Sequence, residues 1–201
     1  LKDVALGCSE YIKLVKRKIP EFCSKSIIIL DGDVEGVKGM DSILKLPGTL
    51  PPDQLIFEFL YNLPPEDPYW KNSSGFNKPV FISLCDKISE VLQIDPADEV
   101  IDMAQLVASY RKKSGPEDQR LRGHFKAFAK NATFLGMVNG GAAKNPYRAW
   151  VKHNAGPAEA FRESLRKSLR STMTNGHGID SALLKILDAP EAKKEATTVP
   201  E

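Results

Sequence analysis

The feature that most restricts this sequence is an apolar, β-branched run that ends abruptly in acidic residues. Residues 26–30 read Ser-Ile-Ile-Ile-Leu, and residues 31–36 read Asp-Gly-Asp-Val-Glu-Gly. A continuous run of this kind predicts a strand buried on both faces of a parallel sheet. In extended backbone, Asp31, Asp33 and Glu35 would point to the same side, because side chains alternate along a strand. The pattern therefore predicts three carboxylates that converge where a buried strand ends.

Carboxylates held this close together repel one another unless a cation lies between them. Hard oxygen ligands favour Mg²⁺ or Mn²⁺ over softer metals. The position also fits, because ligands of open α/β sheets gather beyond the carboxyl ends of the strands. We therefore predict that Asp31, Asp33 and Glu35 are metal ligands. The alternative is an acidic surface turn, since Asp-Gly is a common turn dipeptide.

The remaining pattern predicts an α/β fold with a helical C-terminal part. Short strands are expected at residues 3–6 and 42–46, with a helix capped by Ser9 between the first strand and the buried run. A further helix is expected to start at residues 51–53. Helices are then predicted at residues 80–93, 99–113, 117–130, 146–154 and 157–171. Residues 133–138 are expected to form a short strand or an apolar loop, and residues 188–201 a disordered tail.

The composition of the chain indicates the kind of partner and the cellular compartment to expect. Residues 1–110 carry a net charge of −6 and residues 111–201 a net charge of +8, which suggests an acidic site beside a basic surface. Three cysteines without CxxC spacing are expected to be free thiols in a reducing cytoplasm. No apolar run approaches the roughly 20 residues of a membrane helix, so no spanning segment is expected.

The second half contains two basic segments. Arg122, Lys126 and Lys130 are four residues apart and would form one basic stripe on a helix, with Arg120 at its edge. Such a stripe can neutralise DNA phosphates, or it can be a solvated face. The other segment includes Lys152, and it is expected to contact either the DNA backbone or a partner domain. The aromatic residues beside these cations, Phe125, Phe128 and Trp150, are predicted to be core.

The strand and DGDxEG loop at residues 26–36 resemble the DxD signature of the Toprim fold. Together with Leu6-Gly7, the segment Ile43-Leu-Lys-Leu-Pro-Gly48 and the run Pro51-Pro-Asp-Gln-Leu55, they resemble the nuclease half of OLD (overcoming lysogenization defect) family proteins. These are ATP-dependent endonucleases that include antiphage-defence effectors. The resemblance covers residues 1–63 and implies a Rossmann-like, Toprim-type parallel sheet there. A helical extension would follow over residues 64–187.

The resemblance also implies a role for particular residues and partners. Asp31, Asp33 and Glu35 would hold Mg²⁺ or Mn²⁺, and Lys126 would be catalytic, since residues 120–128 resemble a family Arg-x-x-His-Lys segment with one extra residue. The catalytic Glu of Toprim domains would lie on a strand ahead of Leu1. An ABC-type ATPase domain, on the same or a separate chain, and homo-oligomerisation are further expectations.

The function predicted from the sequence is hydrolysis of DNA phosphodiester bonds by a metal-dependent endonuclease. One alternative is a non-catalytic module that binds nucleic acid or a partner through a partial Toprim site. Another is a primase- or topoisomerase-like Toprim enzyme.

Overall fold

The computed structural model describes residues 7–95, 97–115, 118–141 and 143–187 of the chain. The chain forms two compact units. Of the described residues, unit 1 contains 7–30, 34–46 and 160–187, and unit 2 contains 31–33 and those between 47 and 159. These limits differ from the sequence-based division at residue 63. The strand predicted at residues 3–6 and the tail predicted at residues 188–201 lie outside the described residues.

Unit 1 is built around a pair of parallel strands. Its first elements are α1 (Cys8–Lys16), α2 (Pro20–Cys23), β1 (Ile28–Leu30) and β2 (Ile43–Lys45). β1 pairs with β2 in parallel, with Ile28 opposite Ile43 and Leu30 opposite Lys45. Val15 of α1 packs against Ile28, Leu30 and Ile43 to form a small core. The predicted parallel pairing is therefore confirmed, and the fold is mixed α/β.

Two details of unit 1 correct the sequence-based expectations. β1 is not buried on both faces, because Ile29 is 47% exposed while its neighbours Ile28 and Leu30 are buried. In a strand, alternate side chains face opposite sides, and only one face of this two-stranded sheet packs on α1. α1 also begins one residue before Ser9, with Gly7 as its N-cap. The prediction that Ser9 caps this helix is therefore wrong.

Unit 2 is helical, and its core surrounds the helix that follows β2 in the chain. Its helices are α3 (Pro52–Asn62), α4 (Lys78–Leu84), α5 (Asp86–Leu92), α6 (Met103–Ser114), α7 (Arg120–Ala129), α8 (Ala132–Asn139) and α9 (Pro146–His153), with a short 3₁₀ turn at Pro68–Trp70. Phe57 of α3 is fully buried. Its ring lies 5.8 Å from that of Phe81 on α4 and 5.5 Å from that of Phe125 on α7. These contacts make α3 the central helix of unit 2.

The structure also corrects two predicted elements of unit 2. The single helix predicted at residues 80–93 is broken at Cys85, whose ψ of 6° ends α4 before α5 begins. Residues 133–138, predicted as a strand or loop, lie in α8. Asn131 caps α8 by accepting from the backbone N–H groups of Thr133 and Phe134. Phe134 and Met137, three residues apart, then bury one face of the helix.

The last α-helix of the described residues, α10 (Ala155–Ser171), begins in unit 2 and continues into unit 1. A π-helical turn at Thr172–Gly176 follows it. Within unit 1 this turn packs closely on the end of α2, because a Cβ added at Gly176 would lie 2.0 Å from the carbonyl oxygen of Ser24. His177 Nε2 also lies 2.9 Å from the carbonyl oxygen of Lys25. Among the described helices, none has the length and apolar character needed to cross a lipid bilayer.

Candidate functional site

The acidic loop begins directly after β1, but it does not continue as extended backbone. Gly32 and Asp33 form a turn. Asp31 is half-buried, whereas Asp33 and Glu35 are exposed. The turn breaks the alternation that was expected to align all three carboxylates. Asp31 and Asp33 belong to unit 2, and Glu35 belongs to unit 1.

Gly32 is the residue that brings this loop against the start of α3. A Cβ at Gly32 would lie 2.7 Å from the carbonyl oxygen of Gly48 and 3.1 Å from that of Leu50. Only glycine permits so close an approach of two backbones. The segment it touches leads into the first turn of α3, where Asp53 lies. The contact therefore places a third carboxylate, that of Asp53, near Asp31.

The electrostatics of Asp31 reflect this placement. Partial burial is the main cause that raises the pKa of Asp31, and the carboxylates of Asp33 and Asp53 raise it further. Both effects disfavour the ionised form, because the negative charge loses water and meets like charges. A bound cation would reverse the second effect. The three aspartates supply only hard oxygen donors, which suits Mg²⁺ or Mn²⁺.

The set that the structure brings together differs from the predicted one. Asp53 was interpreted from sequence only as part of a helix start, although it follows the end of β2, where the rule for α/β sheets places ligands. Within residues 7–95, 97–115, 118–141 and 143–187, no three His, Cys, Asp or Glu side chains form a metal-binding group. The arrangement is therefore a carboxylate cluster around Asp31 rather than a complete three-ligand site.

α7 presents the predicted basic stripe. Leu121, Phe125 and Phe128 are buried, so the predicted core role of the two phenylalanines is confirmed. The predicted stripe on the opposite side is exposed: Arg122, Lys126 and Lys130. This division follows from the helical period, which places residues four apart on one face.

Arg120 differs from the other cations of the stripe because it already has a partner. Its guanidinium lies 2.6 Å from a carboxylate oxygen of Asp118. The hydrogen bonds from Arg120 lower the pKa of Asp118. A DNA phosphate would have to compete with this pair. Arg122, Lys126 and Lys130 are therefore better placed than Arg120 to contact DNA.

Lys152 lies on the exposed side of α9, while Trp150 of the same helix is 9% exposed and packs in the core of unit 2. The expected core role of Trp150 is thus confirmed. The free state of Cys8, Cys23 and Cys85 also agrees with the sequence, although only Cys85 is buried.

Comparison of the chain with protein-family models, with curated proteins and with solved structures found no match.

Proposed function

We propose that this chain is the nuclease module of a metal-dependent DNA endonuclease of the Toprim type, akin to those of OLD-family antiphage effectors. The observation that carries the proposal is the carboxylate cluster of Asp31, Asp33 and Asp53. It lies where a parallel strand ends, and the pKa of Asp31 is raised there, first by partial burial and then by the like charges of Asp33 and Asp53. A partly buried cluster of this kind costs stability without a cation, so its presence is best explained by divalent-ion binding.

The donor set fits Mg²⁺ or Mn²⁺ even though the described part of the chain has no three-ligand metal group. Mg²⁺ keeps several waters and is commonly held by one or two carboxylates together with substrate phosphates. Asp31 and Asp33 would be those ligands. Asp53 or Glu35 would orient a bound water through its carboxylate. When bound, such ions lower the pKa of the attacking water and neutralise charge on the exchanging oxygens.

The basic side chains supply the remaining chemistry of the proposal. Arg122, Lys126 and Lys130 would hold the DNA backbone, and Lys126 would in addition stabilise charge on the phosphate under attack. The proposal also includes the partners implied by the family resemblance. These are an ABC-type ATPase domain and a homo-oligomeric assembly.

One observation favours a second candidate function. The described residues contain no complete three-ligand metal group, which is what a non-catalytic module that binds DNA or a partner would show. The two candidates differ in whether the carboxylate cluster is needed for cleavage or only for the local structure.

A plasmid-nicking assay separates the two candidates. The 201-residue chain would be incubated with supercoiled plasmid and Mg²⁺ or Mn²⁺. Asp31→Asn and Asp33→Asn are each expected to lower the cleavage rate on the order of 100-fold or more, the scale of losing a group that stabilises transition-state charge. Asp41→Asn removes an exposed carboxylate of unit 1 and serves as the control.

The outcomes of this assay are distinct. Cleavage that survives in both Asn variants would refute the nuclease proposal. An unaltered chain that binds plasmid but does not cut it with either metal would favour the binding module.

A further inference from the structure

Unit 2 contains a cleft that the carboxylate cluster does not use. One side is the 3₁₀ turn at Pro68–Trp70 with the residue before it, and the other is α9 with the loop before that helix. Its volume is about 470 Å³, and it is lined by Asp67, Pro68, Tyr69, Ala143, Arg148, Ala149, Lys152 and His153. Three of the lining residues have charged side chains, namely Asp67, Arg148 and Lys152.

The two sides of the cleft are joined by a polar contact between His153 and Asp67. His153 Nε2 lies 3.1 Å from Asp67 Oδ2, and His153 Nδ1 lies 2.9 Å from the carbonyl oxygen of Ala149. The other oxygen of Asp67 accepts from the backbone N–H of Tyr69 at 2.8 Å. Both oxygens of Asp67 are thus engaged by groups in the wall of the cleft.

The remaining charges of the cleft are positive. Arg148 and Lys152 are exposed and lie four residues apart on the same face of α9. In the part of the chain that the structure describes, neither side chain forms an ion pair. Asp67 is the only acid that lines the cleft among the described residues. The lining of the cleft therefore holds two cations without an ion-pair partner against one acid, a net positive charge that suits an anion.

The packing of α9 on α3 places this cleft close to the carboxylate cluster. Asp53 contributes to a raised pKa of Tyr147, after burial, and the rings of Phe59 and His153 lie 5.3 Å apart. Asp53 and Phe59 are six residues apart on α3, and Tyr147 and His153 are six residues apart on α9. Arg148 directly follows Tyr147. Tyr147, which Asp53 influences, and His153 are six residues apart on α9, a rise of about 9 Å along that helix.

We propose that this cleft binds a phosphate group of a DNA strand whose neighbouring phosphodiester reaches the carboxylate cluster. Arg148 and Lys152 are about 6 Å apart along the helix axis. A DNA strand carries one charge per roughly 3.4 Å of axis. The two cations therefore contact either one phosphate or two adjacent phosphates. The inference rests on the proposed function only in naming DNA as the source of the phosphate.

The test is a DNA-binding titration in EDTA, where no metal-dependent cleavage occurs. Anisotropy of a fluorescent 20-nucleotide strand and of its duplex would be measured from 50 to 200 mM salt. The variant Arg148→Gln/Lys152→Gln is compared with Lys16→Gln/Lys38→Gln, which removes equal charge from exposed positions in unit 1. Circular dichroism melting establishes that each variant is folded.

The cleft variant is expected to bind both DNAs more weakly and to lower the salt slope by about 1 per cation, hence about 2. The ratio of the binding constant of the unaltered chain to that of the cleft variant then falls roughly 16-fold between 50 and 200 mM salt. A folded cleft variant that matches the control variant overturns the proposal.

Competition with inorganic phosphate and with a mononucleotide separates the two sources of phosphate. Weak competition at millimolar concentration, lost in the cleft variant, supports a site for strand phosphates. If the cleft variant loses affinity for the free anions but binds both DNAs normally, DNA is not the ligand and the proposal fails. Because binding is measured without metal, failure of plasmid cleavage counts against the nuclease function and leaves this result unaffected.

Discussion

Replacing Gly32 with alanine should separate the acidic loop from the start of α3. The added Cβ would lie 2.7 Å from the carbonyl oxygen of Gly48, against at least 3.4 Å for an ordinary contact, so the backbone must move by roughly 0.7 Å. Overpacking a buried site of this kind costs about 1–3 kcal/mol. Both partners are backbone, and no flexible side chain can move aside to relieve the clash. We therefore expect the free energy of unfolding to fall by that amount.

The same displacement should impair the carboxylate cluster. Asp31 and Asp33 flank Gly32, and Asp53 lies beyond the segment that Gly32 touches. A shift approaching 1 Å in a catalytic arrangement can cost on the order of 10²-fold in rate. Gly32→Ala is thus expected to weaken Mn²⁺-induced thermal stabilisation and to slow plasmid nicking.

The assay combines urea denaturation followed by circular dichroism with a thermal melt in the presence and absence of Mn²⁺. Gly136→Ala is the matched control, since Gly136 is exposed within α8 and has no atom within 4 Å of its added Cβ. Alanine at that position should stabilise the helix by about 0.8–1 kcal/mol. Equal or greater stability of Gly32→Ala relative to the unaltered chain would refute the close backbone contact and the account of how Asp53 reaches Asp31.

Two other predictions concern the charge of Asp31 and the packing of unit 1. Because the pKa of Asp31 is raised in the fold, its ionised form destabilises the protein at neutral pH. Asp31→Asn should therefore raise the melting temperature at pH 7 in EDTA. This gain in melting temperature should vanish as the pH falls below the ordinary carboxyl pKa of about 3.8, because Asp31 is then protonated in both the folded and the unfolded chain. A gain that is absent at pH 7 would contradict the clustering of the carboxylates. Gly176→Ala would place a Cβ 2.0 Å from the Ser24 carbonyl oxygen, so we expect about 1–3 kcal/mol of destabilisation and faster trypsin cleavage within unit 1. Unchanged proteolysis of this variant would show that the turn does not pack there.

Sequence reasoning succeeded where the spacing of apolar and charged residues along the chain decides the local structure. The exposed and buried faces of α7 follow from spacings of three and four residues, and Phe125 and Phe128 lie inside as predicted. The parallel pairing of β1 and β2 agrees with the parallel sheet that the β-branched run at residues 27–29 predicts. Sequence reasoning failed at residues 133–138, where apolar composition fits a strand as well as a helix. Capping by Asn131 and the burial of one face make this segment helical.

For the candidate site, the sequence by itself determined that two aspartates stand at the end of a strand, because they are neighbours in the chain. Tertiary structure alone decided that Asp53 joins them, that Glu35 belongs to another unit, and that Asp67 pairs with His153 across 86 residues. The reason is that the spacing of residues along the chain indicates which face of a helix or strand a side chain occupies. The partner that the side chain meets on that face depends on how closely two distant backbone segments can approach. At Gly32 that approach is permitted by a missing Cβ, and its consequence for charge appears only after the chain has folded.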